Sequence, residues 1–184
     1  MISGIEIETL EALYGEPSQA SLVKVATKMT AEHRAWIKAA RFCILSTVGS
    51  SGTDASPRGG NGPVVVELDD TTLLMQDWRG NNRIYSLRNI VEDGRVSLLF
   101  MVFGQENVIR VNRSAIVTTA AELLKRFEQK VQNLRSVVVI ITSEIYGQCA
   151  RSILRSGLWD TSPRELPTMG DILRAQTSNN DQNV

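Results

Sequence analysis

"TTLLMQDWRGNNRIYSLRNIVEDG", residues 71–94, changes its hydrophobic period halfway along. It begins with a short apolar run edged by threonines, the composition of a strand. It ends with Ile84, Leu87 and Val91 at helical spacing and stops at Gly94, a residue type that readily terminates helices. Between these halves lies "DWRGNNR", residues 77–83, which carries Asp77, Trp78, Arg79, Gly80, Asn81, Asn82 and Arg83. A strand that runs through so many donors into a helix is either a solvated cap or a seat for an anion. A phosphate monoester brings nearly two negative charges and three acceptor oxygens. Arginine answers with planar, bidentate donors, and a helix start adds free N–H groups and the positive end of its dipole. Here Gly80 allows close backbone approach, Asn81 or Asn82 is expected to cap the helix, and Arg83 is expected in its first turn. An arginine there opposes the dipole unless an anion sits beside it.

Outward from this junction the chain is mostly strand. "RFCILSTV" (41–48), "PVVVEL" (63–68), "TTLLMQ" (71–76), "RVSLLFMVF" (95–103), "NVIRVNRSAIV" (107–117) and "SVVVIITSEIYG" (136–147) are short and rich in β-branched residues. A hairpin is expected at Asp69–Asp70. Two helices interrupt the strands, one following "DWRGNNR". The other, "TTAAELLKRFEQKV" (118–131), has a capping box from Thr119 to Glu122 and Leu123, Phe127 and Val131 on one face; its "KRFEQK" reads as solvated. Residues 1–40 read as helical in two pieces broken by "YGEPSQ", with Thr30 capping a helix whose inner face holds Trp36, Ile37 and Ala40. Six strands in a meander with two interposed helices predict an α+β, mainly β fold, a small antiparallel barrel with flanking helices. The boundaries are a helical segment packed on the barrel (1–40), the barrel (41–148), a helical element (149–175) and a disordered tail (176–184), since "QTSNNDQNV" has no apolar anchors.

Composition narrows the function. The 184 residues hold 20 basic and 20 acidic side chains, a balance without the basic excess that non-specific nucleic-acid binding draws on. Cys43, Cys149 and the single His33 form no metal-ligand spacing, and the cysteines read as reduced thiols. His33 reads as an exposed helix residue. No G-x-G-x-x-G or Walker A loop is present, and no internal repeat. The start "MISGIEIETLEALYG" is acidic rather than signal-like, and the longest apolar runs are too short for a spanning helix, so a cytoplasmic protein without membrane contact is expected.

Two further clusters carry donors. "ASPRGGNGP" (55–63) sets Arg58 between Pro57 and Gly59, in a segment expected to be an irregular loop between the first two strands. Neighbouring strands would bring it and "DWRGNNR" together at one barrel end. "CARSILRSGLWD" (149–160) places Arg151 and Arg155 on one helical face with Trp159 beyond, either an exit helix plugging the core or a lid over an aromatic ligand.

In this order, "FCILSTVGSSGTDASPRGG", "LLMQDWRGNNRIYSLRNIVEDGRVSLLFMVFG" and "IRVNRSAIVT" resemble the pyridoxamine 5'-phosphate oxidase-like, FMN-binding split-barrel superfamily, from about Leu22 to Leu173. The C-terminal "C-A-R-S…R-S-x-L-W-D" element is similar to one that recurs in an uncharacterised bacterial branch. The resemblance implies a six-stranded antiparallel split barrel and a homodimer with FMN along the interface. It assigns Arg58, with Gly59 beside it, and Asn81, Asn82 and Arg83 to the flavin phosphate, with Arg79 as a supplementary cation. Asp77 and Trp78 would flank the ribityl chain and ring, Gln105 would lie near polar contacts of the next hairpin, and Arg151, Arg155 and Trp159 would cover the flavin from the partner subunit. The implied activity is an FMN-dependent oxidoreductase acting on a small molecule or a nicotinamide nucleotide. True pyridoxamine 5'-phosphate oxidases carry a C-terminal arginine–x–histidine pair that this sequence lacks, which argues against vitamin B6 oxidation. No catalytic residue is assigned. The alternatives are a flavin-, haem- or deazaflavin-binding protein without turnover, and a structural dimer with merely polar loops.

Overall fold

The computed structural model describes residues 3–78, 80–127 and 134–180. Seven strands form one antiparallel sheet: β1 Phe42–Gly49, β2 Gly52–Gly59, β3 Val66–Asp69, β4 Thr72–Trp78, β5 Arg95–Met101, β6 Val108–Thr118 and β7 Leu134–Gln148, in the spatial order β2-β1-β5-β6-β7-β4-β3. The α+β class and the open, split-barrel character therefore hold, with seven strands where six were expected. The additional strand is β2, which contains Arg58 and was expected to be an irregular loop. Proline is tolerated there because β2 is an edge strand: Pro57 lies opposite Ile44 of β1, and a missing donor can face the open side.

The sheet curls. Five inter-strand steps separate β2 from β4, about 24 Å if the sheet were flat, yet Arg58 Nη1 of β2 donates to Asp77 Oδ1 of β4 at 3.1 Å. The concave side is filled by Cys43, Leu45, Leu73, Met75, Leu98, Phe100, Val111 and Ile140, all fully buried or nearly so. Burial alternates along β1 and β5, as a strand with one inner face requires. The closure leaves one gap. β3 pairs with β4 only as far as Leu74, so from Met75 to Trp78 the side of β4 away from β7 has no strand partner among the described residues.

The helices are α1 Ile7–Tyr14, α2 Gln19–Val23, α3 Ala31–Ala39, α4 Tyr85–Glu92, α5 Ala121–Leu124, α6 Arg151–Ser156 and α7 Met169–Asn180. Thr30 caps α3 as expected, and Ile37 and Ala40 are buried beneath a half-buried Trp36. His33 does more than sit on the surface: its Nδ1 accepts from the Thr30 N–H at 3.3 Å and completes a capping box. Among the described residues three helices rather than two precede β1. Of these α3 packs on the barrel, whereas α1 buries no residue.

Other helical expectations change. No box forms at Thr119–Glu122; the N-cap of α5 is Ala120, whose N–H is taken by Thr118 Oγ1 at 3.1 Å, and a 3₁₀ turn over Lys125–Phe127 follows α5. Phe127 is buried as expected, and Val131 lies outside the described residues. The hairpin turn falls one residue on, at Asp70–Thr71, where Asp69 Oδ1 accepts from the Thr71 N–H at 2.9 Å. Residues 176–180 continue α7 instead of beginning a disordered tail. Both cysteines are unpaired thiols, Cys43 buried and Cys149 exposed. No helix among the described residues is long and apolar enough to cross a membrane.

Candidate anion and ring site

The edge strand β2 presents Asp54, Ser56 and Arg58 at alternate positions, and these three are the half-buried residues of its inner face. Across the sheet's closure stands the end of β4, with Asp77 and Trp78, followed by the loop 80–84 and the start of α4. Asn81 Oδ1 accepts from the Arg83 N–H at 3.1 Å, an Asx turn rather than a helix cap. Asn82 (φ 62°) and Ile84 (φ 46°) both adopt the left-handed conformation. For a β-branched residue this is a strained state, about 1–3 kcal/mol. Ile84 is the N-cap of α4 and offers no side-chain acceptor, so Arg83 precedes the helix instead of lying in its first turn. The first-turn N–H groups are left for another partner.

α4 is held by its polar residues. Ser86 Oγ donates to Asp54 Oδ2 at 2.5 Å, and the buried Asn89 Nδ2 donates to Thr47 Oγ1 at 3.0 Å. Gly49 permits this approach, since a Cβ there would stand 2.4 Å from Asn89 Oδ1. The inner face is therefore Ser86, Asn89 and Ile90 with Leu87 half-buried, while Val91, expected inside, is 75% exposed and Ile84 is also exposed.

These elements enclose a cavity of about 470 Å³. Its charged lining among the described residues is Arg58, Arg83 and Arg135 against Asp54 and Asp77, a net positive charge. Both carboxylates are already engaged, Asp54 by Ser86 and Asp77 by Arg58. The Arg58–Asp77 pair is mostly shielded, with side-chain exposures of 21% and 15%. The Arg58 Nε is buried without a hydrogen-bond partner among the described residues. Above the loop, the Arg83 guanidinium lies 4.9 Å from the Tyr85 ring centroid, a cation–π arrangement that fixes it at the rim. A second cavity of about 630 Å³ adjoins the first: Arg58 and Trp78 line both, and residues 59–64 with Met75 and Gln76 form the rest of its described lining. Beneath Arg58, burial pushes the Cys43 thiol up to about 12 despite the nearby guanidinium, which leaves it an inert core residue.

The chain thus brings Arg58, Gly59, Asp77, Trp78, Asn81, Asn82 and Arg83 to two contiguous cavities. Arg79 lies outside the described residues. Gln105, Arg151, Arg155 and Trp159 do not line either cavity. Trp159 Nε1 donates to the Gln105 carbonyl at 2.8 Å, packs edge-on against Phe103, and lines a separate apolar cavity of about 550 Å³ with Phe42 and Met101. Arg151 and Arg155 are exposed on α6 and form no ion pair among the described residues. Asp54, Arg135, Ser136 and Gln76 were not anticipated. Asp54 lies on a strand that has no apolar period to reveal it, and Ser136 enters only through its register opposite Asp77.

Residues 29–149 match the family model described as pyridoxamine 5'-phosphate oxidase, and the chain belongs to that family. No functionally curated protein matches it. Among solved structures, HupZ of Group A Streptococcus is 16% identical with a TM-score of 0.56 over 66% of this chain and 95% of its own. A Lactobacillus delbrueckii protein named for the same oxidase is 22% identical with a TM-score of 0.53 over 67% and 98% of the two chains. An FMN-binding protein of Syntrophomonas wolfei is 15% identical with a TM-score of 0.44, over 77% and 95%. At these identities the likeness is one of fold.

Proposed function

We propose that the chain binds FMN and acts as an FMN-dependent oxidoreductase other than a pyridoxamine 5'-phosphate oxidase. The observation that carries this reading is the shielded Arg58, whose Nε lacks a partner on the wall of an arginine-lined cavity, beside an uncapped helix start. A buried donor without a partner costs about 1–3 kcal/mol, and a phosphate oxygen is the acceptor that best relieves it. Arg83, Arg135 and the first turn of α4 supply further donors for the same group. Each of the two cavities has the size of a small-molecule site, which runs from about 300 to 1,000 Å³. Trp78 and Tyr85 offer aromatic walls.

FMN, if bound there, would supply the hydride and electron transfer, and the chain's own residues would bind it, orient it and exclude water. Arg58 and Asp77 fix each other, Trp78 bounds both cavities, and no proton-transferring side chain is required of the lining. The absent arginine–x–histidine pair turns the substrate away from pyridoxamine phosphate; the single histidine caps α3. In a homodimer the Arg151–Trp159 element of each subunit would cover its neighbour's site.

The test is the visible spectrum of the purified protein with release and identification of the chromophore, followed by addition of a nicotinamide nucleotide. One FMN per chain with steady reduction supports the oxidoreductase. FMN without turnover reduces the reading to a flavin-binding protein. A colourless protein that fails to take up added FMN overturns it.

A further inference from the structure

We infer that Gln76 is a specificity-determining residue, which selects a ring bearing an imide N–H over one that lacks it; this rests on the FMN reading above. Two observations meet in the second cavity. Gln76 lines it, and its Oε1 is buried with no hydrogen-bond partner among the described residues. The same stretch of β4, Met75 to Trp78, has no strand partner among the described residues on the side away from β7, so that edge offers backbone donors and acceptors that no described strand uses.

An unpartnered acceptor beside an unpaired strand edge favours a ligand that presents an N–H between two carbonyls, the pattern a neighbouring strand would offer. The pyrimidine-dione edge of a flavin has that pattern. The rest of the wall agrees with a flat ring: Gly59, Gly60 and Gly62 carry no side chains, and nothing lies within 4 Å of where a Cβ of Gly60 would stand. Among the described residues Arg58 is the only charged one on this wall and it is paired with Asp77, so this part of the cavity favours a neutral group. The division of labour follows: the first cavity holds the charge and the second reads the ring. A tetrapyrrole has no imide edge and gains nothing from Gln76.

The experiment compares FMN with N3-methyl-FMN on the full chain by quenching of flavin fluorescence, in the native protein and in Gln76→Ala. The native protein is expected to bind the methylated ligand about ten- to a hundredfold more weakly. Gln76→Ala is expected to bind FMN about tenfold more weakly and to lose most of the discrimination. Equal affinity of the native protein for the two ligands, or discrimination that survives unchanged in Gln76→Ala, overturns the inference while leaving the FMN reading in place. Failure of the native protein to bind FMN at all removes both.

Discussion

Replacing Arg58 by alanine separates its two roles. As a ligand group it offers charge-assisted hydrogen bonds in a shielded position, worth about 1.5–3 kcal/mol. FMN affinity should therefore fall about 10- to 150-fold. Riboflavin, which lacks the phosphate, should bind the variant nearly as it binds the native protein. As a structural group, Arg58 neutralises Asp77, whose side chain is only 15% exposed. Breaking a fully buried pair costs about 3–5 kcal/mol; the residual exposure reduces this to about 1–2 kcal/mol. At about 2–4 °C per kcal/mol for a chain of this size, the melting temperature should drop by about 2–8 °C. Asp77→Asn in the same chain removes the uncompensated charge, so the double variant should recover most of the melting temperature but not the FMN affinity. Fluorescence titration and thermal melting of the four proteins measure both quantities. Equal weakening of riboflavin and FMN by Arg58→Ala would refute the phosphate assignment, and a double variant that stays destabilised would refute the charge argument.

Ile84→Asn should raise stability by about 1 kcal/mol, because asparagine tolerates the left-handed φ of 46° and the isoleucine side chain is half exposed; a lower melting temperature would show that Ile84 is not strained. At pH 8 a thiol reagent should label only the exposed Cys149, with Cys43 reacting after denaturation, and two equivalents in the native state would contradict the buried assignment. The Cys43 value, raised from 9.0 to about 12, makes its contribution to stability complete below pH 9 and lost as pH rises towards 12, so Cys43→Ala should flatten the alkaline limb of a stability–pH curve. Burial holds His33 below its usual value of 6.5, so the unfolded chain takes up its proton first and stability falls as pH drops below that value; His33→Gln, which keeps a capping acceptor, should remove that part of the acid loss in urea titrations.

The strand-to-loop-to-helix order at 72–92 was legible because hydrophobic period reports burial, and five of the strands bury one face or both. β2 was not, because its pattern is inverted: it turns Asp54, Ser56 and Arg58 inward and has a proline opposite Ile44. Such a strand has no apolar period to read. The same inversion rotated α4. A helical face drawn through Ile84, Leu87 and Val91 assumes that apolar residues go inside, whereas Ser86 and Asn89 found partners in Asp54 and Thr47 and took that side. The anion loops were visible as donor clusters, since charge and glycine content need no register. Arg135 and Gln76 were not, because each acquires its place from strand pairing across the closed sheet.

The sheet's two ends meet at the site and, besides their chain connections, are stitched there chiefly by side chains. Arg58 and Asp77 are 19 positions apart in the chain but separated by four intervening strands in the sheet. A ligand bridging β2 and the 80–84 loop would act as a missing rung across that seam. Its binding energy would then appear as resistance to unzipping: at a concentration 100 times Kd, about 2.7 kcal/mol. Amide hydrogens of β2 and of the free edge of β4 would slow their exchange with solvent first. Those at the middle of the sheet, in β5 and β6, would record the ligand only through global unfolding.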